Sequence, residues 1–283
     1  MELTLCVAEM AVRLRCDDAD LYRLLHTVWS PLLAPDSRTD PCLQLTIQSR
    51  AGTHWLCLPD QAPEQAEDSG DLLYLVDKAI IIGLQQRRPE LLYIHGAVLA
   101  AEEQAFLLAA PSGSGKSTTC WGLLHHGLRY LSDELAPIDL ASGRVHAYPR
   151  ALCLKSPPPL PYQLPASTLV TGHRLHVAPA HLPSPVVTAP LPLAALVFVA
   201  HDPQATRPSL ARLSPGEATA RLYPNLLNAL CHPAAGLTAA AGLCTEHPCF
   251  SLTTARLDES CRLLLASLPR ERTVKPVLDG RSA

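Results

Sequence analysis

No excess of either charge marks this chain: 23 lysines and arginines stand against 26 aspartates and glutamates, a net charge of −3 with a pI near 6.4. The basic field that draws in nucleic acid or an anionic membrane is therefore missing, and neither is expected as a partner. Missing too is any apolar run of the ~18 residues a spanning helix needs. Even the segment from Leu75 to Leu84 is broken by Asp77 and Lys78. The ten cysteines form no Cys-x-x-Cys pair and follow no secretory leader, so reduced thiols in a soluble cytoplasmic protein are the expectation. One tight group, Cys244, His247 and Cys249, lacks a fourth ligand at zinc spacing and is interrupted by Pro248.

What is present is an apolar chain, 48% hydrophobic over 283 residues, long enough to bury a sizeable core. Its most informative stretch runs from Phe106 to Ser132, where FLLAA breaks into PSGSGKSTT, passes through a short helical segment and emerges at LRYLSDE. A strand feeding a glycine-rich turn into a helix N-terminus aims successive backbone N–H groups at one point, and Gly113 and Gly115 tolerate the backbone this requires. Phosphate oxygens fit such a nest, built here from Ser112, Gly113, Ser114, Gly115, Lys116, Ser117 and Thr118. Lys116 supplies a point charge for the β- and γ-phosphates of ATP, and the Ser117 hydroxyl a ligand for Mg²⁺. The usual pattern opens with glycine five positions before Gly115, where this chain has Ala110.

After the nest, Thr118 to His126 carries apolar residues at helical spacing, Gly127 suits a helix end, and Leu128 to Leu131 reads as a buried strand. Asp133 follows at that strand's carboxyl end, where an α/β sheet gathers its ligand-contacting residues. It is expected to face the same crevice as Lys116.

The residues His95-Gly96-Ala97-Val98, the nest at 111–118 and Ser132-Asp133-Glu134 resemble the catalytic domain of HPr kinase/phosphorylase and its smaller relatives. Among those relatives are serine kinases of peptide-maturation clusters. The resemblance is close over about 90–155 and loose to about 268. It implies an α/β fold with a P-loop kinase core of the HPr kinase and phosphoenolpyruvate carboxykinase type; it says little about 1–88, where the residues themselves read as a small N-terminal α/β domain. It further implies Asp133 as general base, His95 near the reacting centre, and Glu134 at the metal in place of a second aspartate. By residues alone, His95 in the run LLYIHGAVLA would read as an interior histidine. The segment from Tyr148 to Lys155 looks like the basic strand of these kinases but lacks the glycine-rich signature of the bifunctional enzymes, so phosphorylase activity is not implied. Arg150 and Lys155 either meet substrate or solvate an edge strand.

Three regions are expected: an N-terminal α/β domain over 1–88, a catalytic domain over 89–268 and a tail over 269–283. Strands are read at Leu3–Leu14, Leu43–Ile47 and His54–Leu58, and helices at Asp17–Leu33 and Asp71–Gln86, with a polar connection over Asp60–Gly70. Whether 1–88 docks an acceptor or only covers the kinase is open. Prolines crowd 156–190, suggesting an extended substrate lid or recognition surface, or a spacer. Farther on, Ala194–Val199 reads as a strand, and Pro215–Leu230 and Asp258–Ser267 as helices.

The function expected is ATP- and Mg²⁺-dependent transfer of phosphate to a serine hydroxyl of a peptide or protein. A kinase of a small hydroxylated metabolite, or a nucleotide-gated binding module, is the alternative. Relatives of the HPr kinase type often assemble, so a homo-oligomer is an open expectation.

Overall fold

The computed structural model describes residues 1–34, 43–50 and 52–269; Cys42 and, after Pro269, the tail expected over 269–283 lie outside them. Among these the chain is a mixed α/β protein with several sheets.

The first sheet runs β1 (Glu2–Val7), β2 (Met10–Cys16), β3 (Leu43–Arg50), β4 (Thr53–Cys57) and β5 (Glu64–Ala66), in that spatial order. Ala8 and Glu9 both take positive φ, which turns the chain in two residues and pairs Val7 with Met10. Alternation then puts Leu3, Leu5 and Val7 inside. Helices α1 (Ala19–Val28) and α2 (Ser69–Arg87) start where acids cap them: Asp18 accepts from the N–H groups of Asp20 and Leu21, and Asp68 from those of Gly70 and Asp71. The expected polar connection over 60–70 holds β5, too short to show a period.

The second sheet holds β6 (Leu91–Ala101), β7 (Gln104–Ala109), β8 (Arg129–Ser132), β9 (Leu135–Asp139), β10 (Arg144–Val145), β14 (Leu191–His201), β15 (Ser209–Arg212) and β16 (Cys249–Thr254). Strands β7, β14 and β16 are parallel, and β6 runs antiparallel to β7, β8 and β9. Because β10 bonds β9 on one side and β14 on the other, part of this sheet closes on itself. Helix α3 (Lys116–His125) follows β7. A third, small sheet is made of β11 (Leu152–Leu154), β12 (Leu169–Thr171) and β13 (Arg174–Val177).

The proline-dense segment is thus not all extended loop. It carries β12 and β13, and it is anchored where the Trp121 indole donates to the Tyr162 carbonyl at 2.9 Å. The helix expected over 215–230 stops earlier, as α4 (Pro215–Leu222), because Pro224 can donate no helical hydrogen bond and disfavours helix before it. Two further helices are α5 (Leu237–Glu246), unexpected from the sequence, and α6 (Leu257–Ser267).

The apolar core of the first 88 residues does not end there: Leu91, Tyr93, Leu135, Tyr148 and Ala151 pack into it. Tyr148 ties the two stretches further, accepting from the Trp29 indole at 3.2 Å and donating to Asp77 at 2.7 Å.

Gly96 sits where β6 crosses β7. A Cβ there would meet the Leu108 carbonyl oxygen at 3.0 Å and the Leu107 Cδ1 at 2.6 Å. The leucine can turn aside, but the backbone oxygen cannot. Gly96→Ala is expected to destabilise the fold by about 1–3 kcal/mol, measured as a lower urea midpoint with an unchanged slope.

Candidate functional site

The turn between β7 and α3 builds the nest. Gly113 and Gly115 both have φ +87, and Gly115 caps α3 in the left-handed region. At Gly113 the need is conformational rather than spatial, since a Cβ would meet nothing within 4 Å. Helix α3 begins at Lys116, so its unbonded N–H groups open on the turn.

A cleft of ≈ 810 Å³ lies against this turn. Its walls include Ser112, Gly113, Gly115, Lys116, Ser117, Thr118, His95, Glu134, Arg150 and Lys155. Helix α2 forms the facing side with Tyr74, Asp77 and Ile81. The structure therefore gathers most of the residues singled out in the sequence. Two are not on the wall: Ser114, whose N–H donates to the Pro111 carbonyl at 3.2 Å, and Asp133.

Asp133 corrects an expectation. Only its backbone meets Lys116, whose Nζ donates to the Asp133 carbonyl at 2.6 Å. The side chain turns inward, where one oxygen accepts from the Tyr130 hydroxyl at 3.1 Å and the other from the Cys153 N–H at 2.8 Å. The residue is 1% exposed. In the bend between β8 and β9 the neighbouring carboxylates part, and it is Glu134 that faces the cleft.

Glu134 meets His95 Nδ1 at 3.2 Å through one oxygen and Arg150 Nη2 at 3.4 Å through the other. Burial works to raise its pKa, but the His95 hydrogen bond and the charges of Arg150 and Lys116 outweigh it and hold the carboxyl at about 2. It is ionised at any working pH. His95 Nδ1 also lies 3.1 Å from the Glu134 carbonyl oxygen. Facing only acceptors, Nδ1 carries the proton, and in the neutral ring Nε2 keeps its lone pair.

Arg150 is buried at 8% exposure and lies 3.2 Å from Asp77 as well as against Glu134. Its charge is matched inside the protein, which favours neither substrate contact nor edge solvation. Lys155 differs: its Nζ donates to the Ser112 hydroxyl at 2.7 Å, beside the nest. Sequence reasoning missed Asp77, Thr171, Arg174 and His176, all on the cleft wall. For the last two a signal existed, the period-two pattern in Arg174-Leu175-His176-Val177.

Among the described residues, no three His, Cys, Asp or Glu side chains converge as a metal cluster. The thiol of Cys249 instead donates to the His247 carbonyl at 3.4 Å. No described helix is long and apolar enough to cross a membrane.

No family model matches the chain, and no curated protein does. Among solved structures it is similar to the Hpr(Ser) kinase/phosphatase from Coxiella burnetii, at a TM-score of 0.30 and 10% identity, over 62% of this chain and 93% of that one. A likeness so distant decides nothing about chemistry, which rests on the geometry above.

Burial pushes the Asp77 carboxyl up to about 6, against the pull of Arg150 and with Glu134 adding to the rise. A folded-state value above the ordinary 3.8 stabilises the fold fully below pH 3.8, and this contribution is lost as pH rises through 6. Asp77→Asn is therefore expected to flatten the stability decline between those two values, read by urea unfolding across a pH series. Arg150→Met leaves buried carboxylates unmatched and is expected to cost about 3–5 kcal/mol.

Proposed function

We propose that this chain is a Mg²⁺-dependent kinase that transfers the γ-phosphoryl group of ATP to a serine hydroxyl of a peptide or protein. The observation carrying the reading is the meeting, on one cleft, of the glycine nest with Lys116 and an ionised Glu134 bonded to a histidine. An anion nest alone suits many ligands; the nest with an adjacent carboxylate and an oriented base suits phosphoryl transfer.

The donors present fit magnesium. Ser117 and Glu134 are hard oxygen ligands on the same cleft, and Mg²⁺ is ordinarily held by one or two carboxylates together with substrate phosphates and water. Asp77, Asp133 and Glu134 crowd one guanidinium, so the neighbourhood carries more negative charge than Arg150 matches. Magnesium bound there would neutralise charge on the phosphates.

The chain's own groups do the remaining work. Backbone N–H groups and Lys116 hold the phosphates, and Lys155 stands at the nest's rim. The acceptor oxygen forms its bond to the γ-phosphorus as the bond to the β-phosphate oxygen breaks, releasing ADP. The hydroxyl proton passes to His95 Nε2, because Nδ1 is held by Glu134. Asp133 is a positioning residue in this scheme: its carbonyl seats Lys116 and its carboxylate fixes Tyr130 and β11.

One observation favours the metabolite alternative. A cleft of ≈ 810 Å³ falls in the ordinary range for small-molecule sites. The decisive assay offers γ-labelled ATP and Mg²⁺ with serine peptides in one arm and small hydroxylated compounds in another. His95→Ala is expected to lower the transfer rate about 10²–10⁴-fold while leaving nucleotide affinity nearly unchanged. Lys116→Ala should lose both. Label transferred equally by wild type and both variants would overturn the site.

A further inference from the structure

Apart from Lys155 at the nest's rim, the third sheet presents a wall to the cleft that the proposed phosphate handling does not use. β11 and β12 flank β13, pairing Cys153 with His176 and Thr171 with Arg174. Side chains alternate, so Cys153, Thr171, Arg174, His176 and the following Lys155 share one face. Leu152, Leu175 and Val177 share the other and pack toward Trp121. The polar face is the one on the cleft.

Two features of this face point to a ligand. His176 is 5% exposed, yet neither ring nitrogen has a hydrogen-bond partner, and the buried Thr171 hydroxyl has none either. Buried polar groups are ordinarily partnered. Beside them, Arg174 and Lys155 form no ion pair among the described residues. Of the charges on the facing wall, Lys78 pairs with Glu64 at 2.8 Å, and Asp68 caps α2 through one carboxylate oxygen.

We infer that this face is the acceptor subsite and that it takes an acidic peptide, with carboxylates beside the target serine meeting Arg174 and Lys155 and the peptide's amide groups meeting His176 and Thr171. The word acceptor rests on the kinase reading; the charge preference rests on this face alone.

Fluorescein-labelled peptides with a central serine flanked by glutamate, alanine or lysine test it by anisotropy on the full chain, with Mg²⁺ and a non-hydrolysable ATP analogue. The glutamate peptide is expected to bind about tenfold tighter than the alanine peptide. Arg174→Glu should erase that preference and Arg174→Lys retain most of it, with affinity for the ATP analogue unchanged in both. Equal binding of the three peptides by wild type, or a preference that survives Arg174→Glu, would overturn the inference. Wild type failing to bind the nucleotide analogue would instead defeat the kinase reading, and the peptide preference would still be read.

Discussion

The cleft depends on one shared guanidinium. Arg150 reaches Asp77 on α2 and Glu134 in the bend after β8, and its Nη1 also donates to the Ala151 carbonyl at 3.3 Å. Three carboxylates, Asp77, Asp133 and Glu134, lie in its field. In a low-dielectric interior such an arrangement holds only when geometry and charge are matched together. Here one positive charge serves several acids, so α2 and the bend after β8 cannot separate without leaving a carboxylate short of its cation. Tyr148 reinforces the tie by bonding Asp77.

The geometry around Glu134 follows from that constraint. Glu134 is held by Arg150 through one oxygen, and its other oxygen fixes His95. The imidazole is thereby oriented by the protein's own groups, the kind of preorganisation on which the proposed proton transfer relies. Asp133 contributes from behind the wall: by accepting from Tyr130 and from the Cys153 amide, it joins the end of β8 to the middle of β11. Its carbonyl then meets Lys116 at a defined point.

The local parts of this design were legible in the sequence and the long-range parts were not. A glycine-rich turn between strand and helix is set by adjacent residues of fixed type, so the turn at 111–118 reads directly, as does the acid-capped start of α1, whereas α2 starts at Ser69 behind its Asp68 cap, ahead of the Asp71 expected. By contrast, Trp29–Tyr148 and Asp77–Tyr148 span 119 and 71 residues, and no periodicity announces such pairs. The identity of Asp133 was readable, but the direction of its side chain was not. Neighbouring carboxylates in a bend face different sides, and only the packing of Tyr130 and β11 decides which turns inward. Prolines hid β12 and β13 because their density suggests extended chain, although the strands fall in the gap from 166 to 178, which contains none.

The cations of the cleft divide by what they already touch. Arg150 faces carboxylates, so its charge is matched and its work is structural. Lys116 and Lys155 donate instead to a carbonyl and a hydroxyl, neutral acceptors that hold the ammonium groups in place without cancelling their charge. Both therefore keep their attraction for an anion. Arg174, without a carboxylate partner among the described residues, extends the same uncompensated charge along the third sheet. Cations without a carboxylate partner among the described residues thus line the cleft from the nest to the face bearing His176, and the proposed phosphate and acidic-acceptor sites both rest on that arrangement.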